Sequence, residues 1–371
     1  MEDRRGRLDI LTSCVTHSSG QSLSSEQQAY LASQLLQDNF KALAFGITRQ
    51  NANEYVDKHL KLLPEVYAQL IRKLPGLANN RGGTHPHGNR VLDTMWNLWL
   101  PLATRLAAQE QEIARPFVQG ILGGQGTGKT TLAVALTQIL SCMKLRCIGI
   151  SIDDLYKTYA ERQQLMESDP RLDRRGPPGT HDVDLGIRML DQLRQNSQIN
   201  SQITIKIPRF DKSAYGGAGD RTTPETTTGA DIILFEGWFV GVQPVDPAVF
   251  VSAPDPIRTE ADRQFAIDMN ANLQDYLPLW QRLDSLIVLY PADYRFSKQW
   301  RQQAEQEAIA AGAAGMSDAE VSEFVDYFWR ALHPELFITP LMRNAEIVDL
   351  VVEINSEHQL DRIYCPKDME N

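Results

Sequence analysis

Eight consecutive residues carry the chain's most specific chemical signal. Gly123-Gly124-Gln125-Gly126-Thr127-Gly128-Lys129-Thr130 fits the pattern G-x-x-x-x-G-K-[ST]. Glycines at these spacings let the backbone curl until successive N–H groups point inward at phosphate oxygens, and the N-terminus of a following helix adds partial positive charge. Lys129 is then placed to reach the outer phosphates of a nucleotide and assist transfer of the terminal one, and Thr130 to set its hydroxyl on a bridging magnesium ion. Thr131, first residue of the predicted helix Thr131–Leu140, completes the nucleotide-binding set. A ligand-free glycine-rich turn is the bland alternative. The strand Phe117–Leu122 before the motif and the helix after it are the context that the phosphate-binding reading requires.

A phosphate loop alone does not separate a kinase from a switch GTPase or a motor ATPase, so the ends of the other strands decide. Two of them carry acids. The run Arg146–Ile152 leads into Asp153-Asp154-Leu155-Tyr156, which brings a carboxylate close to the outer phosphate, where an acceptor hydroxyl must lose its proton. Asp153 is the expected general base and substrate contact; a helix cap is the other use for Asp153 or Asp154. The run Asp231–Phe235 leads into Glu236-Gly237-Trp238, and an acid ending a buried strand suits magnesium or its water shell. Glu236 takes that role beside Thr130, with a structural ion pair as its alternative.

These strand ends need a framework to bring them together. Up to about residue 115 the chain reads as helices: Tyr55 to Lys73 is charged and aliphatic, and Val91, Met95, Leu98 and Leu102 recur at helical spacing after a loop at Asn79–Pro86. From Phe117 onward, short apolar runs alternate with amphipathic stretches. Phe117–Leu122, Arg146–Ile152, Gln202–Ile207, Asp231–Phe235, Ser285–Tyr290 and Leu350–Ile354 read as buried strands. Phe265, Met269, Leu273, Tyr276 and Trp280 mark one helix face; Val321, Phe324, Phe328 and Leu332 mark another, opened by the capping box Ser317-x-x-Glu320. The expected fold is α/β, a P-loop NTPase-type parallel sheet flanked by helices. It comprises an N-terminal helical region over 1–115 and a kinase domain over 116–371.

Composition narrows the partners. With 371 residues and a net charge of −10, the chain repels phosphate polymers on average, which argues against nucleic acid or an anionic membrane as partner. No run approaches the ~20 apolar residues of a membrane span. Four scattered cysteines, Cys14, Cys142, Cys147 and Cys365, form no C-x-x-C pair and suit a reducing compartment. The opening Met1-Glu2-Asp3-Arg4-Arg5 lacks the apolar core of a secretory signal, so the cytoplasm is the expected location. His85-Pro86-His87, without nearby acids, is a weak metal signal. Oligomeric state is not readable.

Together, Ser151-Ile152-Asp153-Asp154-Leu155-Tyr156 and Leu234-Phe235-Glu236-Gly237 resemble the P-loop small-molecule kinases related to phosphoribulokinase, uridine kinase and pantothenate kinase. Within that group, Gly176-Pro177-Pro178-Gly179-Thr180-His181-Asp182 and Pro208-Arg209-Phe210-Asp211-Lys212-Ser213 are similar to the D-glycerate 3-kinases of plants and cyanobacteria. The likeness covers Phe117 to the C-terminus, and the long helical preface suits the same branch. It implies ATP and Mg2+ as cofactors, D-glycerate as acceptor and 3-phosphoglycerate as product, the step that in plants closes photorespiratory glycerate salvage. A processed plant form would lie in the chloroplast stroma. By the same resemblance, Pro291 to Arg301 is the start of a lid near 292–312, whose Arg295, Lys298 or Arg301 would close over the transferring phosphoryl group; Arg295 is the expected catalytic cation.

The residue types agree with an acceptor that is itself a carboxylate. Arg171, Arg174, Arg175, Arg209, Lys212 and Arg221 gather in two irregular segments of an acidic protein, and a guanidinium fork holds a carboxylate bidentately. Arg209, Lys212 and Arg221 are the expected substrate contacts. His181 and Asp182 are placed to bond the substrate hydroxyls; alternatively His181 finishes a turn and Asp182 caps the helix Val183–Arg194. Two other functions stay open: a kinase of a nucleoside, pantothenate or sugar phosphate, and an ATP-binding regulatory protein with no acceptor.

Overall fold

The computed structural model describes residues 2–16, 23–74, 88–195, 204–310, 312 and 315–369. The predicted loop Asn79–Pro86 and the His85-Pro86-His87 run lie outside these residues. Among the described residues eight strands form: β1 (Phe117–Gly123), β2 (Cys147–Ser151), β3 (Ile205–Asp211), β4 (Asp220–Thr227), β5 (Ile232–Gly237), β6 (Ser285–Pro291), β7 (Leu350–Ile354) and β8 (Leu360–Tyr364). Six of them make one sheet in the order β2-β5-β1-β6-β7-β8. All its pairs are parallel except the antiparallel edge pair β7 with β8.

Alternation along each strand divides the core between the two faces of this sheet. Phe117, Ile121, Ile232, Leu234, Ile287, Leu289, Leu350 and Val352 face one side. There they share a continuous apolar cluster with Leu132, Leu136 and Ile139 of the helix Lys129–Cys142 and with side chains of the N-terminal helices, including Leu63, Leu70, Trp96 and Leu106. Val118, Leu122, Ile150, Ile233, Phe235, Leu286, Val288 and Val351 face the other side, against Met189, Leu190, Tyr276 and Trp280. Each fully buried aliphatic contributes roughly 1.5–3 kcal/mol.

One expected strand goes elsewhere. The run predicted over Gln202–Ile207, whose first two residues fall outside the described chain, becomes β3, and β3 leaves the parallel sheet to pair antiparallel with β4 as a separate ribbon. Ile205 and Ile207 bury their side chains beside the helix Val183–Gln195, which accounts for the apolar signal. β4 reads Asp-Arg-Thr-Thr-Pro-Glu-Thr-Thr and is largely exposed; with a proline and no apolar alternation it fits only an outlying pair.

The helix expected from Phe265 to Trp280 is three pieces, Glu260–Asn272, a 3-10 turn at Leu273–Tyr276 and Leu277–Trp280. The capping box at Ser317 and Glu320 opens Asp318–Ala331 as the sequence predicts. No helix among the described residues is long and apolar enough to cross a membrane.

Candidate active site

Parallel strands deliver their C-terminal ends to one edge, and the register sets three of them side by side. Ser151 of β2 lies opposite Glu236 of β5, and Gly237 opposite Leu122 of β1. From β1 the chain enters the phosphate loop, where Gly126 and Gly128 take φ of 78° and 81°, a backbone that side chains resist. A Cβ on Gly126 would also strike Trp300. Thr127 Oγ1 donates to the Gly124 carbonyl at 2.9 Å and Lys129 Nζ to the same oxygen at 3.3 Å, so the loop folds over its own lysine. Burial pushes the Lys129 ammonium down, and the carboxylates of Glu236 and Asp153 pull it back up.

At the end of β2 the two neighbouring aspartates divide their work. Asp154 closes a capping box, accepting from the Ser151 N–H at 3.1 Å, and pairs with Arg209 at 2.9 Å. Asp153 faces the cavity. Tyr156 donates to its Oδ1 at 2.8 Å and Lys212 Nζ sits 2.6 Å from its Oδ2. Burial works to raise the Asp153 pKa, yet Lys212 and the Tyr156 hydrogen bond together hold it below the ordinary aspartate value. The carboxylate is therefore ionised at neutral pH.

Glu236 is buried, and burial raises its pKa against the pull of Lys129. Thr130 Oγ1 donates to its Oε1 at 3.2 Å, while its Oε2 is buried and makes no hydrogen bond among the described residues. An orphan carboxylate oxygen beside a hydroxyl, both next to the phosphate loop, suits a hard divalent cation that takes its remaining ligands from phosphates and water. Among the described residues no group of three or more His, Cys, Asp or Glu side chains could hold a metal by itself.

These groups open onto a cavity of about 640 Å3. Its wall carries Lys129, Arg162, Arg174, Arg175, Lys212 and Arg301 against Asp153, Asp173 and Glu236, so the local charge is positive although the chain is acidic. Trp238, Phe324 and Phe328 supply the apolar side. Phe324 and Phe328, read from sequence as part of a core-facing stripe, thus face the cavity, and Val321, Val325 and Ala331 carry that helix's buried side.

The expected substrate residues separate into two groups. Asp153 and Lys212 line the cavity; His181, Asp182, Arg209 and Arg221 are not among its lining residues. Arg209 bridges Asp154, Glu225 and the Gly149 carbonyl of edge strand β2. Arg221 donates to the Tyr156 carbonyl and pairs with Asp182 at 2.9 Å, and Asp182 caps the helix Val183–Gln195 through the Leu185 N–H. His181 is buried, stacked on Tyr156 at 4.5 Å and bonded through Nδ1 to the Tyr276 hydroxyl at 2.8 Å; burial drives its pKa down to about 3. In the lid segment, Arg295 pairs with Asp293 and lies over the Tyr294 ring, 60% exposed and off the cavity wall. Lys298 ties the helix Phe296–Ala310 to Asp326 at 2.7 Å. Arg301 lines the cavity, pairs with Glu305 and lies over the Phe324 ring, and its Nε is buried without a partner among the described residues.

Arg162, Tyr156 and Trp238 escaped sequence reasoning. Tyr156 and Trp238 each closely follow an identified acid, a signal that was available; Arg162 sits in a helix with no motif.

A phosphate loop that shares its cavity with an ionised carboxylate and a basic wall fits a P-loop kinase. No protein-family model matches the chain. It is 36% identical over 234 residues to the uncharacterized kinase mug58 of Schizosaccharomyces pombe, covering 60% of this chain and 82% of that one. With chloroplastic D-glycerate 3-kinase of Arabidopsis thaliana it shares 36% identity over 308 residues, 79% of this chain and 64% of the plant protein. The structure of D-glycerate 3-kinase from Cryptococcus neoformans superposes with a TM-score of 0.62 at 25% identity, covering 71% of this chain and 96% of that one. The chain belongs to the family of ATP-dependent P-loop kinases that includes these proteins.

Proposed function

We propose that this kinase phosphorylates D-glycerate, giving 3-phosphoglycerate, with Asp153 as general base. The observation that carries the reading is the Asp153 carboxylate beside the phosphate loop in a chamber lined by Lys212, Arg174, Arg175 and Arg301. The glycerate kinases of Arabidopsis thaliana and Cryptococcus neoformans, by their names, support the acceptor. In this mechanism the backbone amides of the loop and Lys129 hold the triphosphate, and the basic wall orients the acceptor carboxylate. Asp153 takes the proton of the hydroxyl, whose oxygen bonds to the γ-phosphorus as the bond to the β–γ bridging oxygen breaks and ADP departs. Arg301 is the cation nearest in role to the one expected from Arg295, steadying the equatorial oxygens. Thr130 and Glu236 would hold magnesium, which neutralises charge on the outer phosphates when bound.

In this reading residues 1–115 form a helical preface and 116–371 the kinase domain with its lid near 292–312. Its four free thiols suit the reducing cytoplasm, or the stroma for a plant form. Incubating the full chain with MgATP and a panel of hydroxy acids, nucleosides, pantothenate and sugar phosphates, then identifying the phosphorylated product, tests the proposal. It requires 3-phosphoglycerate from D-glycerate; efficient turnover of another acceptor instead would refute it.

A further inference from the structure

A kinase that keeps a carboxylate beside a bound triphosphate must keep that carboxylate from activating water. The structure holds a device suited to this task. Lys212 stands in the turn after β3, which Asp211 shapes by accepting from both the N–H and the hydroxyl of Ser213. The rest of the ribbon tip is pinned to the cavity wall. Arg162 and Arg175 donate to the carbonyls of Gly217, Ala218 and Gly219, and Tyr215 stacks on Tyr159 at 4.2 Å. So anchored, the turn aims an ammonium group at Asp153 Oδ2, while the rigid, buried Tyr156 holds Oδ1. With both oxygens accepting from donors, the carboxylate is a poor proton acceptor. The two partners differ in strength of hold: the Lys212 side chain is 61% exposed, and a solvated ion pair yields readily to a competing anion.

We propose that Lys212 is a latch on Asp153, released when an anionic acceptor draws the ammonium away and leaves Oδ2 free to take the hydroxyl proton. This rests on the reading of Asp153 as the base. Lys212 thereby becomes a positioning and specificity-determining residue: an acceptor with a negative charge opens the base, and water or a neutral alcohol does not. In the exchange the ammonium stays protonated and trades one carboxylate partner for another. The only proton that moves goes from the acceptor hydroxyl to Asp153.

ATP hydrolysis by the full chain in the absence of any acceptor provides the test. Lys212→Met is expected to raise it by about tenfold or more, the ceiling being the roughly 10²–10⁴-fold that a fully effective general base supplies. Adding Asp153→Asn should abolish the rise, and Lys212→Arg should restore suppression. With acceptors present, Lys212→Met is expected to lower kcat/KM for D-glycerate and to raise the ratio of glycerol to glycerate phosphorylation. If Lys212→Met raises only the KM for glycerate and leaves hydrolysis flat, the residue is an anion contact and the latch is wrong. A rise that survives Asp153→Asn, or rapid acceptor-free hydrolysis by the unaltered chain, also overturns it. Should no hydroxy acid prove to be a substrate, the acceptor assignment falls while the hydrolysis measurements still decide the latch.

Discussion

Asp153 and Asp154 are adjacent carboxylates with opposite duties, separated by what reaches them. A cap and Arg209 engage Asp154; Tyr156 and an exposed lysine engage Asp153. Asp153→Asn is expected to lower turnover by about 10²–10⁴ while nucleotide affinity stays near normal, as stopped-time product assays and equilibrium ATP binding would report. Near-normal turnover would remove it as the base. Glu236→Gln keeps the shape but removes the charge next to Thr130, so the magnesium concentration for half-maximal activity should rise several-fold, which a titration at saturating ATP checks. At this scale the sequence announces residues whose role follows from a strand end. It does not announce Arg209 and Arg221 as structural, because their partners Asp154 and Asp182 lie 55 and 39 residues away and only the fold brings them together.

At the scale of elements, the Gly-Pro-Pro-Gly-Thr-His segment is held by Asn272, Trp238 and Lys157, which donate to its Pro178, Gly176 and His181 carbonyls, and by the Tyr276 hydroxyl, which meets two of its groups. Tyr276 accepts from the Gly179 N–H at 2.9 Å and pairs with His181 Nδ1 at 2.8 Å, in a fully buried setting. Tyr276→Phe strands both groups, at a cost of roughly 1–3 kcal/mol for each buried polar group left unpaired. Chemical denaturation should detect the loss, and a stability equal to that of the unaltered chain would contradict this account. Continuous apolar runs made β1, β5 and β6 legible, since these central strands are buried on both faces, whereas edge strand β2 is only partly buried. The ribbon was not legible as a ribbon: β3 borrows its apolar residues for a helix contact, and β4 shows no strand-like alternation. The ribbon nonetheless carries Lys212, so the least predictable element positions one of the two expected substrate residues that line the cavity.

At the scale of the whole molecule, three histidines among the described residues are buried as neutral rings: His59 beside Thr104, His181 beside Tyr276, and His333 capping the helix Pro334–Leu341. Burial lowers their pKa values to about 3, about 3 and about 4. The unfolded chain protonates them near pH 6.5, and the native state refuses until pH 3–4. Their contribution is therefore complete above about pH 6.5 and is lost as pH falls through the native values, on the order of 2 kcal/mol each by pH 5. A thermal midpoint clearly lower at pH 5 than at pH 7, with net proton uptake on unfolding at pH 5, is expected. Equal midpoints would contradict it.

The helices that precede β1 have a consequence for how the molecule tolerates cutting. Leu63, Leu70, Trp96 and Leu106 share one apolar cluster with Ile121, Leu234 and Ile287, and their helices pack on the helix Lys129–Cys142 that lies against the strands. A chain begun at residue 116 would bare that side of the cluster to water and should clump or fail to accumulate, even though every group that grips phosphate remains. What reads as an appendage in one dimension serves as the roof of the catalytic half in three.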